Sequence, residues 1–141
     1  MKRYTHSTKT ELAPQDLWKV FSDLEHWNTW DLGLDSTRWI DTTARIFELK
    51  PKGGGPVTIH VSAYEEGRLW TDQTKFPLAV LEGEHLFLPL PGGGTEVRTT
   101  MTVKGPLAWL WNKIVVQGIA AGQEEQTSAL IDRAKSLKIG G

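Results

Sequence analysis

The chain has 141 residues, a net charge of −1 and an ordinary 23% of charged residues, which suffices for one buried core and leaves no basic footprint for nucleic acid. It contains no cysteine, which excludes disulfides and thiolate chemistry, and no apolar run of membrane-spanning length. With no signal-peptide core in MKRYTHST, the expectation is a soluble, cytoplasmic protein folded as a single domain over residues 1–141.

Residues 2–12 alternate as a strand, with Tyr4, His6, Thr8, Thr10 and Leu12 on one side. Pro14 then opens a short helix that buries Leu17, Val20, Phe21 and Leu24. A second helical piece follows Asp23 and brings Trp27 and Trp30 onto one face at i, i+3. From Asp35 the pattern is strand, turn, strand, with strands over 36–40, 45–50, 57–64, 68–75, 80–90 and 95–104. Val57, Ile59, Val61 and Ala63 share a face; so do Val97, Thr99, Met101 and Val103; Glu82 and Glu84 oppose His85. The two triple-glycine runs, 53–55 and 92–94, lie between strands and lack a following Lys-Ser or Lys-Thr. They read as hairpin turns rather than phosphate loops.

Residues 105–137 form the one long helix, started by Gly105-Pro106, with an apolar stripe through Leu107, Leu110, Trp111, Ile114 and Val115. The stripe loses its side chains at Gly118, Ala121 and Gly122 and drifts to Leu130, Ala134 and Leu137, which predicts a bend at the glycines. Either those glycines leave room for a ligand or another element packs closely there. Strands first and a long helix last give an α+β order: a curved antiparallel sheet of about seven strands, two short helices after the first strand, and a C-terminal helix across the inner face. The first strand is expected to pair with the strand at 95–104.

This order, together with Ala13-Pro14 through Trp18, Phe21-Ser22-Asp23 and Trp27 to Trp30-Asp31, and with His85 and Gly94-Thr95-Glu96-Val97, resembles the helix-grip fold of the START-like (SRPBCC) superfamily, in its polyketide cyclase/dehydrase-like branch. The resemblance implies a cavity between sheet and helix and supplies no catalytic residue list.

Seven tryptophans are the unusual feature of the composition, since tryptophan suits cores and also walls of pockets for bulky or aromatic ligands. The expected ligand-binding lining is Trp30, Trp39, Phe47, Trp70, Phe76, His85, Met101, Trp111, Ile114, Gly118 and Gly122. Alternation pairs residues on a face without saying which face is inward. His85 is the one candidate acid or base. No histidine pair stands at i, i+4 and no cysteine completes a site, so neither metal nor cofactor is expected. Asp31 suits a turn, and Trp109 points away from Trp111 toward solvent. The function expected is binding of a small apolar or aromatic molecule, lipid- or polyketide-like, by a carrier or sensor. An alternative is a cyclase, dehydratase or hydrolase using His85, and a third is an interaction module with a filled core. The state is monomer or homodimer, with no nucleic-acid partner and no integral membrane association.

Overall fold

A computed structural model describes residues 1–140. Seven strands, β1 (Lys2–Thr10), β2 (Leu34–Asp41), β3 (Ile46–Pro51), β4 (Val57–Glu65), β5 (Leu69–Phe76), β6 (Ala79–Pro89) and β7 (Thr95–Lys104), form one antiparallel sheet in the order β1-β7-β6-β5-β4-β3-β2. The first strand pairs with the last, as the order of elements predicts, with His6 opposite Thr99 and Tyr4 opposite Met101. Consecutive strands joined by short turns account for every other pairing. Between β5 and β6 the turn is only Pro77 and Leu78, since Phe76 pairs with Ala79. That tight turn sets the register of the whole hairpin and places Trp70 opposite His85 and Asp72 opposite Gly83.

One expected face is corrected. A bulge between Val61 and Ala63 shifts the register of β4, so Val61 opposes Asp72 while Ala63 opposes Thr71. Tyr64, opposite Trp70, takes the inward place that unbroken alternation would give Ala63.

The helix α1 (Pro14–Phe21) begins on Pro14, and the Ala13 backbone N–H donates to Asp16 Oδ2 at 3.2 Å. The next piece, Leu24–Thr29, is a 3-10 helix, in which residues three apart eclipse. Trp27 and Trp30 are accordingly both buried, and their rings lie 6.3 Å apart in an edge-on contact. Together these pieces plug one end of the sheet. Trp18 and Phe21 meet Trp70 and Phe87 edge-on, and Trp27 meets Phe47. Such contacts add to the burial of large apolar area.

The C-terminal helix is divided rather than continuous. It runs as α2 (Ala108–Trp111), a π-helical segment (Asn112–Val116), α3 (Gln117–Ala121) and α4 (Gln123–Gly140). The break falls at Gly122, where the drifting stripe predicts a bend. Gly105, at φ 118, makes the approach to α2 possible: a Cβ there would lie 2.6 Å from the Leu78 carbonyl oxygen, the acceptor for the Leu107 N–H. α4 lays Leu130, Ile131 and Ala134 against the aromatic cluster. The earlier segments bury Ala108 and Val116 in a second cluster with Ala79, Leu81, Met101 and Val103. Leu137, expected in the stripe, is exposed.

Candidate functional site

The two apolar clusters do not touch along every inner-face row. On β7, Thr99 falls between Val97 and Met101; on β6, Gly83 and His85 fall between Leu81 and Phe87; on β5, Asp72 and Thr74 fall between Trp70 and Phe76. His6 continues the row on β1. The sheet therefore carries a polar belt, His6–Thr99–His85–Asp72, across the middle of its inner face.

The belt is enclosed. His85 and Asp72 retain some residue-level exposure, yet their ionisable groups are surrounded, and it is that local enclosure that governs their charge. Burial pushes the Asp72 carboxyl up to about 7, with the nearby Glu82 carboxylate adding to the rise and the Trp70 hydrogen bond opposing it. That bond runs from Trp70 Nε1–H to Asp72 Oδ2 at 3.0 Å. Burial also pulls the His85 imidazole down to about 4, so at neutral pH the ring is uncharged. His85 Nδ1 lies 3.5 Å from Thr99 Oγ1, and Phe21 covers the ring with centroids 4.8 Å apart. Gly83 makes room for the arrangement. A Cβ built on it would sit 3.1 Å from Asp72 Oδ1 and 3.7 Å from His85 Nε2.

At its β1 end the belt opens into a cleft of about 410 Å³, within the size range of small-molecule sites. Tyr4 and His6 of the edge strand form one wall, Thr99 and Met101 of β7 the floor, and Ala120, Ala121 and Gln123 the helical wall. Its position follows from the chain: α3 ends at Ala121 before the Gly122 break, α4 restarts at Gln123, and the residues just before the break are small alanines. A second groove of about 370 Å³, between β1 and α4, is lined by Lys9, Glu11, Asp132 and Lys135, charged side chains that suit no apolar molecule. Among the described residues no cluster of three or more His, Cys, Asp or Glu stands in metal-binding array.

The expected lining residues do not gather in one place. Met101 lines the cleft, and His85 lies behind it through Thr99. Trp30, Trp39, Phe47 and Trp70 belong to the aromatic cluster, where Phe47 is fully buried and Trp70 nearly so; they are packed against one another rather than around a space. Phe76 and Trp111 stack on each other at 4.7 Å at the opposite end, and Trp111 Nε1–H donates to the Pro77 carbonyl at 2.9 Å. Ile114 is 61% exposed, on the outer side of the π segment. Gly118 and Gly122 are also exposed. A Cβ on Gly118 would meet nothing within 4 Å, and one on Gly122 only the carbonyls of its own helix. Gly122 thus breaks the helix, Gly118 lies within α3, and neither glycine lines the cleft. Asp31 proves a turn and tether residue: Oδ1 accepts the Gly33 N–H and Oδ2 accepts Gln126 Nε2–H at 2.9 Å.

Asp72 and Gln123 were not among the expected residues. The signal for Asp72 lay in counting back from the Pro77–Leu78 turn, which pairs an acid with Gly83 on one inward row. Gln123 had only the weaker signal of a polar residue directly after a helix-breaking glycine.

The pattern of the family described as polyketide cyclase/dehydrase and lipid transport matches residues 1–135, and the chain belongs to that family. No curated protein matches it in sequence. Among solved structures it is similar to XoxI from Bacillus cereus, with a TM-score of 0.76 at 13% identity over 98% of this chain and 99% of that one. It is also similar to a START superfamily protein from Mycobacterium smegmatis, with a TM-score of 0.71 at 17% identity over 96% and 98%. At such identities the likeness is one of fold, and the helix-grip architecture is the shared feature. Among the described residues no helix is long and apolar enough to cross a membrane.

Proposed function

We propose that this protein binds a small, largely apolar or aromatic molecule in the cleft between β1, β7 and the α3–α4 break, and acts as a carrier or sensor. The observation that carries the reading is the cleft itself. It has the volume of a small-molecule site, an apolar side of Tyr4, Met101 and Ala120, and a polar side of His6, Thr99 and Gln123. The family description, which includes lipid transport, favours the same class of ligand. Native mass spectrometry of the protein purified from its own host tests it. A co-purifying mass that leaves when Ala120 is replaced by Trp, which fills the cleft, supports the reading; retention of that mass by the folded variant contradicts it.

A second reading is favoured by one observation, the Asp72 carboxyl and His85 imidazole enclosed side by side above Gly83. A carboxyl poised near neutrality beside an uncharged imidazole suits proton transfer. Conversion of the co-purified molecule by wild type, lost in Asp72→Asn, would favour an enzyme over a carrier.

A further inference from the structure

Two residues of the cleft lining, His6 and Gln123, each carry a buried polar atom, His6 Nδ1 and Gln123 Oε1, that has no hydrogen-bond partner among the described residues. Gln123 is 8% exposed. Its amide is oriented by Nε2–H donating to the Ile119 carbonyl at 3.5 Å, which leaves the oxygen as the unpaired end. His6 reaches only Thr8 Oγ1, at 3.5 Å through Nε2. A buried acceptor without a donor is costly, and a native fold that keeps one at a cleft commonly does so for function. The fold sets both positions. His6 is held on the inner face of β1 by its pairing with Thr99, and Gln123 is the first residue of α4 after the Gly122 break. One atom comes from the sheet wall and the other from the helix wall.

The chemistry of the pair narrows what they can meet. An amide oxygen only accepts, so its complement is an O–H or N–H; a ring nitrogen donates or accepts according to tautomer. A hydroxyl has the chemistry to complement both, as donor to Gln123 Oε1 and acceptor from His6 Nδ1–H. An anionic head group finds no arginine or lysine turned toward it among the lining residues. Arg3, the cation in the lining, turns its guanidinium to the outer face, where Nε–H donates to Thr102 Oγ1 at 3.3 Å, and Glu124 adds negative charge at the rim. The neutral His85 behind Thr99 supplies no charge either.

Resting on the reading of the cleft as the binding site, we infer that the ligand is neutral and hydroxylated, an alcohol or phenol on an apolar body, whose hydroxyl is read by Gln123 and His6. Calorimetric titration of the full chain at pH 7 with 2-naphthol, 2-methoxynaphthalene and 2-naphthoate tests it. The expected order is 2-naphthol bound about tenfold more tightly than either of the others, the scale of one buried hydrogen bond. Gln123→Leu should erase the preference for 2-naphthol over its methyl ether while leaving the ether's affinity in place. His6→Phe, which removes the partner on the sheet wall, should likewise reduce the preference, and decides the matter if the leucine variant does not fold. Equal binding of 2-naphthol and its ether by wild type, tightest binding of 2-naphthoate, or a preference that survives in folded Gln123→Leu would overturn the hydroxyl inference alone. Binding of none of the three would overturn it together with the cleft reading.

Discussion

Asp72 Oδ1 and His85 Nε2 both border Gly83, the one residue between Leu81 and His85 on the inner row of β6, lying 3.1 Å and 3.7 Å from the place its Cβ would occupy. The absence of a side chain at residue 83 is therefore what leaves room for an acid and an imidazole in the polar belt across the middle of the sheet.

Gly83→Ala should accordingly destabilise the fold by about 1–3 kcal/mol, the cost of overpacking, because the carboxyl must move and loosen its bond from Trp70. In an Asp72→Ala background the same change should cost markedly less. Urea unfolding of the two single variants and the double variant measures the coupling, expected to exceed about 0.5 kcal/mol. Strict additivity would mean that the carboxyl does not rest on residue 83.

The two buried groups pull stability in opposite directions with pH. Asp72, raised from 3.8 to about 7, resists ionising in the fold. Its contribution is whole below pH 4 and is lost as pH rises to about 7, by up to roughly 4 kcal/mol. His85, lowered from 6.5 to about 4, resists protonation. Its contribution is whole above pH 6.5 and is lost as pH falls to about 4, by up to roughly 3 kcal/mol. Between pH 4 and 6.5 the slopes nearly cancel, so wild type should show little net pH dependence from this pair. Asp72→Asn should then gain stability with rising pH over that window, and His85→Gln should lose it. Denaturant midpoints at three pH values check the signs.

Much of the fold was legible because alternation in β1 and β7 is strict and the turns are short. The pairing of the first and last strands follows from strand order alone. The site was less legible. Alternation assigns Trp39, Phe47 and Trp70 each to one face of its strand but cannot say which face is inward, or whether such rings face a space or each other. That depends on Trp18, Phe21 and Trp27 arriving from α1 and the 3-10 helix to fill it. The helical stripe through Ile114 assumed ideal α geometry; the π segment over Asn112–Val116 turns that residue outward and buries Val116 instead.

Gly118 offers a direct contrast between the expected and observed places of the helix glycines. It lies in α3, exposed, with open space where a Cβ would stand. Gly118→Ala should therefore stabilise by about 0.5–1 kcal/mol through helix propensity, with 2-naphthol affinity unchanged. A loss of affinity in thermal-shift and binding assays would return that glycine to the site.

The most direct test of the cleft is a residue-resolved map of binding. Amide and indole N–H resonances of the labelled protein are followed by NMR as 2-naphthol is added. The account predicts shifts at the amides of His6, Thr99, Met101, Ala120 and Gln123, with the indole N–H signals of Trp27 and Trp70 still. Shifts centred on those indoles and on Phe47, with the cleft amides unmoved, would contradict it and place the ligand within the aromatic cluster.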